Sequence, residues 1–512
     1  MRRLSVACLA LVLLSGSSVR AQPGGSLAAT PSIGQQYNRL VIRNALIIDG
    51  AGNPVRGPMD ILIEGSRITD IQPTSPAEPS GSSVPGSGAI GGRADRVIDA
   101  KGMYVMPGII DVHAHTQFTR GGKPMPRDYV YKLWLVHGIT TIRDPGSMEG
   151  IDTMIAHARL SSDNRINAPS IVPYAVAAGN TPEEVRALIR QLKLKGAAGL
   201  KVFINRPDVW QAIGDEARAQ GLPIATDMKV QETHAMEAVT KYGVRSIEHW
   251  YGIPESAMSG PQAFYENYNY DNELDRFRWA GDLWRQADSS RLSAMIDTMV
   301  ARKVTWDPTF AIYEANRDIQ RARTQPWFRE YALPQVMANF EPDLARHGSY
   351  FLDWTTADEN RWRSNYRIWM SWVREFARRG GNVTVGSDAG FIYELYGFTT
   401  IREMEMQQEA GFHPLEVVQH ATANGAKLLG LPATGIIRPG YDADIAIVDG
   451  NPLHNLKVLY ATGVQVVENG KLVQRGGVKY TIKKGIVFDN DVLKEDLRRM
   501  VRQARSGEAT SP

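Results

Sequence analysis

The sequence predicts an α/β fold: a TIM-like (β/α)8 barrel beside a small β-sandwich domain formed by both termini. Three observations predict it. Strand patterns dominate both ends of the chain, strands alternate with helical segments between them, and side chains able to bind metal follow several of those strands. With 512 residues, 43% of them hydrophobic, the chain is long enough for one large and one small domain.

The first 36 residues have the pattern of an export signal followed by a leader. Residues 1–21 combine a basic start, a short apolar run and small residues before a cleavage site, which predicts a signal peptide. Residues 22–36 are rich in Gly, Ser and Pro and predict a flexible leader. We therefore expect a periplasmic or secreted protein. The apolar run is too short for a permanent membrane anchor.

Composition excludes several kinds of chemistry and partner. The only cysteine, Cys8, lies in the predicted signal, so the mature chain has no thiol for a disulfide or for nucleophilic catalysis. Removing the signal takes 58 basic residues to 55, against 55 acidic residues. A mature chain without net charge gives no indication of nucleic acid as a partner. We expect a small-molecule substrate, and the sequence leaves a homo-oligomer open.

The terminal strand patterns lie in residues 37–107 and 432–490, which we assign to the composite β-sandwich domain. The N-terminal part contains two strands that meet at Gly65, and the C-terminal part contains an Asn469-Gly470 hairpin turn. Because strand patterns at the two ends flank an α/β middle, the two parts are expected to form one domain. The chain then ends in a charged helix or tail.

Residues 108–431 alternate strand and helix patterns, which predicts parallel βα units closed into a barrel. The barrel carries two aromatic-rich inserts, at about residues 250–300 and 313–379. Both inserts follow strand ends on the predicted catalytic face. Their aromatic side chains are expected either to form a lid and an apolar substrate wall or to pack against the barrel. The final residues, 491–512, form the predicted C-terminal helix or tail.

The segment on which the prediction of function depends is residues 105–115. A Pro-Gly turn leads into the apolar strand 109–112, which ends in His113 and His115. Side chains two residues apart on a strand point the same way, so both imidazoles project from one strand end. Neutral imidazole is a common ligand of zinc and similar ions. This pattern predicts a metal site at the strand end.

Four further candidates stand at or near predicted strand ends: Lys201, Asp227, His249 and Asp388. In (β/α)8 barrels the active site is built at the carboxyl ends of the strands. A lysine within an apolar strand is unfavourable unless its charge is lost or paired, so Lys201 is expected to form an ion pair at the barrel rim or to have lost its charge. Asp388 could alternatively cap a helix.

Two motifs resemble the amidohydrolase superfamily, in particular its imidazolonepropionase-like and prolidase-like members. They are the Pro-Gly-Ile-Ile-Asp-Val-His-Ala-His segment and the Pro-Gly-Tyr-Asp-Ala-Asp segment at residues 439–444. The resemblance implies that His113, His115, His249 and Asp388 are metal ligands, with Asp388 as general base and then general acid. It also implies that Lys201 carries a carbamate derived from CO2 that bridges two metals.

One position departs from the family pattern. Relatives usually have histidine at the end of strand 5, where this chain has Asp227. Aspartate can bind zinc or manganese, so the second metal can be retained with an altered ligand. The alternatives are a site with one metal, or a ligand role for His234. The remaining histidines are expected to be structural or exposed: His137, His157, His347, His413, His420 and His454.

The resemblance implies a metal-dependent amidohydrolase with one or two divalent ions, zinc first, and no other cofactor-binding residues. It would cleave an amide-type C–N bond by attack of metal-bound hydroxide. The substrate would be peptide-like, an N-acyl amino acid or a cyclic amide. The enzyme would be either a hydrolase of non-peptide C–N bonds or a dipeptidase-like enzyme. Two alternatives stay open. One is a lactonase or esterase on the same scaffold. The other is a degenerate, non-catalytic binding protein, which is considered because position 227 is aspartate where relatives have histidine.

Overall fold

The structure is a computed structural model. It describes residues 31–75, 93–120, 122–203, 206–228, 235–258, 273–344, 348 and 351–507. The predicted signal peptide, most of the predicted leader, His234 and His347 lie outside the described residues. Among the helices described, none has the length and apolar character needed to cross a membrane.

Eight parallel strands form the barrel and pair in chain order. We number them barrel strands 1 to 8: Ile109–Asp111, Ile139–Pro145, Ser170–Val176, Gly199–Phe203, Ile224–Asp227, Val244–Glu248, Thr305–Asp307 and Asn382–Val383. Just beyond strands 1 and 8 the ring is joined by a hydrogen bond of 3.0 Å from Val112 N–H to the Val385 carbonyl. The predicted (β/α)8 barrel is therefore confirmed.

Helices connect the barrel strands and cover the outside of the ring. They include Tyr129–Leu135, Ile151–Ser162, Pro182–Lys195, Pro207–Gln220, Ala235–Thr240, Ser289–Ala301, Thr356–Arg378, Phe398–Glu409, Pro414–Gln419 and Gly425–Leu429. The helix after strand 3, Pro182–Lys195, illustrates how the residues at its two ends determine where a helix begins and ends. The Thr181 hydroxyl accepts a hydrogen bond from Glu184 N–H, and Gly196 ends the helix in a left-handed conformation.

The β domain is built from both ends of the chain, as predicted, but the hairpin at Asn469-Gly470, Val464–Glu468 with Lys471–Arg475, forms a separate two-stranded sheet. Its nine strands are Gln35–Gln36, Arg39–Ile47, Arg56–Glu64, Arg67–Pro73, Arg96–Asp99, Tyr104–Pro107, Ile445–Val448, Val478–Lys483 and Ile486–Asp489. Hydrogen bonds link them in one continuous sheet. Many of their apolar side chains form a core of the domain's own, whereas others, which include Met106, Val448 and Phe488, pack with the core of the barrel. Tyr104–Pro107 pairs with Arg39–Ile47 on one side and with Ile445–Val448 on the other. Only Gly108 separates this strand from barrel strand 1.

The inserts add helices above strands 6 and 7. The first contains Ile253–Ser256, Glu273–Ala280 and Leu283–Gln286, and the second contains Phe310–Tyr313, Glu314–Arg317, Ile319–Arg323, Phe328–Tyr331 and Pro334–Phe340. Many of their aromatic side chains are core residues: Trp284, Trp362 and Trp369 are fully buried. A smaller group, which includes Tyr251, Phe277 and Tyr313, lines a cavity at the carboxyl end of the barrel. A charged helix, Asn490–Ser506, follows the last strand of the sheet.

Candidate metal centre

Barrel strands 1 and 8 bring three predicted ligands together. His113 Nε2 lies 3.6 Å from Asp388 Oδ1, and His115 Nε2 lies 3.1 Å from the same oxygen. The backbone fixes this arrangement, because Asp388 N–H donates to the His113 carbonyl at 2.7 Å. The two histidines and Asp388 therefore meet across the closing seam of the barrel.

Strands 4, 5 and 6 supply the other three predicted residues. His249 Nε2 lies 3.7 Å from Asp388 Oδ2 and 3.5 Å from Asp227 Oδ2. Lys201 Nζ lies 3.8 Å from the same oxygen of Asp227. Asp388 thus faces His113 and His115 with one oxygen and His249 with the other. All six residues proposed from the sequence lie in one connected cluster.

The cluster has the donors and the spacing that a divalent ion needs. Ligands of a tetrahedral zinc ion, each about 2.1 Å from the metal, lie about 3.4 Å from one another. One atom each from His113, His115 and Asp388 can be chosen so that all three lie within 4.8 Å of one another. Lys201 Nζ is buried and has no hydrogen-bond partner among the described residues. A buried amine without a hydrogen-bond partner is unfavourable, so Lys201 Nζ is a candidate for covalent modification.

Electrostatics keep the ligands in the protonation states that metal binding requires. Burial, together with the charge of Lys201, lowers the pKa of His113 to about 3, so its ring is neutral at pH 7. Burial opposes ionisation of Asp227, but the charges of His249 and Lys201 lower its pKa to about 2. Asp388 is also buried, yet His113, His115 and His249 hold the pKa of its carboxyl well below the ordinary value. Both aspartates are therefore carboxylates at neutral pH.

Two of the clustered residues have a backbone conformation that is uncommon outside glycine, although Asp and His adopt it more readily than most residues. His249 has φ +63° and Asp388 has φ +51°, both in the left-handed region. Neighbours hold His249 in place: Trp306 Nε1 donates to its carbonyl at 2.6 Å, and its Nδ1 lies 2.6 Å from the Thr309 hydroxyl. Strained backbone of this kind concentrates at functional sites.

Sequence reasoning missed a second set of residues, which surrounds the other face of His113. Its Nδ1 lies 3.1 Å from Glu248 Oε2 and 3.4 Å from Asp307 Oδ2. Arg143 holds Glu248 in turn, with Nη2 2.6 Å from Oε2. Carboxylates that face the free nitrogen of a ligating histidine fix its orientation. Glu248 and Asp307 stand at the ends of predicted strands, and that position was the available indication.

Asp111 performs a related structural task at the barrel seam. Its Oδ1 accepts hydrogen bonds from the N–H groups of His113 and Ser387, at 3.1 and 3.0 Å. Its Oδ2 accepts from the Thr400 hydroxyl at 2.7 Å. One buried carboxyl group thereby ties strand 1 to the segment that carries Asp388.

Three of the other histidines, taken from the sequence to be structural or exposed, have buried partners outside the cluster. Nδ1 of His137 lies 2.6 Å from the Leu133 carbonyl, Nδ1 of His157 lies 2.9 Å from the Tyr131 hydroxyl, and Nδ1 of His420 lies 2.8 Å from the Gln407 amide oxygen. His413 accepts a hydrogen bond from Leu415 N–H at the start of a helix, and His454 is exposed.

Comparison with known proteins finds similarity to amidohydrolases. The sequence model of the Amidohydrolase family matches residues 356–487. An adenine deaminase from Lysinibacillus sphaericus is 34% identical over 394 residues, which are 74% of this chain and 52% of that protein. An adenine deaminase from Geobacillus kaustophilus is 22% identical over 428 residues, which are 81% of this chain and 58% of that protein. The chain thus spans a little over half the length of these two relatives.

Solved structures agree on the fold. A Xaa-Pro dipeptidase with bound methionine superposes with a TM-score of 0.58 at 19% identity, covering 88% of this chain and all of that chain. The bottromycin amidohydrolase superposes with a TM-score of 0.60 at 19% identity, covering 92% of this chain and 91% of that chain. Together with the barrel, its flanking β domain and the family match over residues 356–487, these likenesses confirm the resemblance to the amidohydrolase superfamily.

Proposed function

We propose that this protein is a metal-dependent hydrolase of amide-type C–N bonds. The observation that carries the proposal is the position of Asp388, whose two carboxylate oxygens face three imidazoles at the carboxyl end of the barrel. The relatives named as adenine deaminases and the dipeptidase-like structural neighbours are consistent with hydrolysis of C–N bonds.

The residues that would hold metal are His113, His115, His249, Asp227 and Asp388. When bound, a divalent ion would acidify water and polarise a carbonyl. Zinc is well suited to imidazole and carboxylate donors. Lys201 would join the ligands as a carbamate: after loss of its ammonium proton, Nζ would form a bond to the carbon of CO2 and release a second proton. The absence of any described hydrogen-bond partner for Nζ supports this chemistry.

The chain's own residues account for the proton transfers. Asp388 is ionised at neutral pH because the neighbouring histidines lower its pKa, so it can accept a proton from the attacking water. It then returns that proton to the leaving nitrogen. Aromatic side chains, among them Tyr251 and Tyr313 of the inserts and Phe391 beyond strand 8, limit the access of bulk water to this carboxylate. Export to the periplasm or medium, which the N-terminal sequence indicates, is part of the same proposal.

The test measures metal content and amide hydrolysis for the wild-type chain, Asp388→Asn and Asp227→Ala. We expect zinc loading to support hydrolysis, chelation to abolish it, and Asp388→Asn to lower kcat by about 10²- to 10⁴-fold, because the proton acceptor is lost. Two metals per chain, falling towards one in Asp227→Ala, would support a ligand role for Asp227.

Parallel assays with esters and lactones provide the comparison. Hydrolysis of esters without hydrolysis of amides would favour the lactonase or esterase alternative. A protein that binds no metal after incubation with zinc and bicarbonate, or an Asp388→Asn variant with the wild-type rate, would contradict the proposal.

A further inference from the structure

A cavity of about 400 Å³ opens beside the proposed metal centre. His115, Asp227, His249 and Asp388 form part of its lining. Most of the other lining residues are apolar or aromatic, and they include Val176, Phe203, Met228, Phe277, Ile312 and Phe391. A cavity of this size and character is typical of sites for small organic molecules with an apolar portion.

Among the described lining residues, Arg276 is the only arginine, and no lysine is present. It lies on the helix Glu273–Ala280 of the first insert and is half-buried. Its guanidinium carbon is 5.1 Å from the centroid of the neighbouring Phe277 ring. Within the described parts of the chain, Arg276 forms no ion pair, and the cavity carboxylates Asp227 and Asp388 instead contact His249, His115 and Lys201.

Arg278, two residues further along the same helix, is held by the protein itself. Its guanidinium lies 3.4 Å from Asp275 and 3.6 Å from Asp358, and it donates to the Asp353 carbonyl at 3.0 Å. Arg278 does not belong to the cavity lining. The helix thus carries one arginine with charged protein partners and one that lines the cavity and forms no ion pair within the described parts of the chain.

We propose that Arg276 binds a carboxylate of the substrate. The substrate class is then an N-acyl amino acid or short peptide with a free carboxylate and an apolar side chain, which the aromatic wall accommodates. Guanidinium pairs with carboxylate through two parallel charge-assisted hydrogen bonds, which give both affinity and orientation. A neutral nucleobase offers no such anion. This inference rests on the proposed hydrolase function and selects among its substrates.

The test is equilibrium binding of two probes to the full-length, zinc-loaded Asp388→Asn protein, in which turnover is blocked. The probes are N-acetyl-L-phenylalanine and its uncharged N-methylamide. We expect the carboxylate probe to bind about tenfold or more tightly than the amide, because only the carboxylate pairs with Arg276. Arg276→Gln should remove this preference, whereas the matched control Arg278→Gln should keep it.

Three outcomes would overturn the inference: equal affinity for the two probes, a preference that survives Arg276→Gln, or no binding of either probe. Loss of the preference in Arg278→Gln as well would also overturn it, because the helix rather than the Arg276 charge would then be responsible. Hydrolysis by the wild-type chain is measured separately. A preference that depends on Arg276 without any hydrolysis would leave the carboxylate site standing and remove the proposed function. Equal hydrolysis of the two probes would support the proposed function and remove the carboxylate site.

Discussion

At the scale of single residues, the site depends on backbone geometry that a pattern of residue types does not reveal. Adjacent side chains on a regular strand point to opposite faces, so Glu248 and His249 would be expected to diverge. In the structure both contact the region around His113, because His249 leaves the strand with φ +63°. The sequence therefore indicated His249 as a ligand, whereas the alternation of side chains argued against Glu248 despite its position at a strand end.

Thr309 is the residue whose removal tests this geometry most directly. Its hydroxyl oxygen lies 2.6 Å from His249 Nδ1 and so orients the ring that would bind metal through Nε2. Thr309→Val keeps the shape of the side chain but loses the hydrogen bond, and we expect zinc affinity to fall by about 10- to 100-fold. Thr309→Ser should retain most of the affinity. Competition with a chromophoric chelator measures both values, and unchanged affinity in Thr309→Val would contradict the orienting role.

At the scale of elements, the end of strand 8 is shaped by close contact with strand 7. A Cβ atom at Gly386 would lie 2.2 Å from Asp307 Oδ2, too close for any side chain. Gly386, in the Val-Gly-Ser-Asp segment, is therefore required for packing. It lets the backbone beyond strand 8 approach the carboxylate of Asp307, which faces His113. The sequence identified this segment through Asp388. It could not show that Gly386 makes room for Asp307, because that contact forms only when strands 7 and 8 pair.

A double-mutant cycle tests this contact. We expect Gly386→Ala to destabilise the protein by about 1–3 kcal/mol, because the new methyl group collides with Asp307. In an Asp307→Ala background the same substitution should cost less, with an interaction free energy of about 0.5–3 kcal/mol. Urea unfolding of the four proteins gives the comparison. Equal effects in both backgrounds would show that the glycine is needed for another reason.

At the scale of the whole molecule, the barrel and a β domain formed from both termini could be predicted because strand and helix periodicities are local properties. An apolar substrate wall was one of the two roles expected for the inserts, but the residues that form it could not be predicted. The placement of Arg276 and Phe277 beside strands 4 to 6 depends on tertiary packing. Buried neutral histidines were equally hidden. Burial lowers the pKa of His137 to about 4 and that of His420 to about 3.

These buried histidines give the molecule a stability that depends on pH. An unfolded histidine has a pKa of about 6.5, so below that pH the unfolded chain takes up protons that the folded protein excludes. Stability is therefore complete above about pH 6.5 and declines as the pH falls towards the folded values. For His420 alone, the loss is about 2 kcal/mol at pH 5. His420→Gln should lower the pH dependence by this amount.

The exposed His454 supplies the matched control, since His454→Gln should retain the wild-type pH dependence. Urea unfolding at pH 7 and pH 5, with the same zinc concentration throughout, measures the difference among the three proteins. An unchanged pH dependence in His420→Gln would contradict the buried, neutral state of this histidine.

The strand Tyr104–Pro107 also determines when the protein can fold during its synthesis. One of its neighbours, Arg39–Ile47, leaves the ribosome before it, but the other, Ile445–Val448, is made only after the whole barrel sequence. Until then Val105 and Met106, which are buried in the finished protein, have an unpaired edge beside them. The nascent chain therefore carries an aggregation-prone strand through most of translation. We expect the yield of folded protein in cells to depend on chaperones that shield such segments.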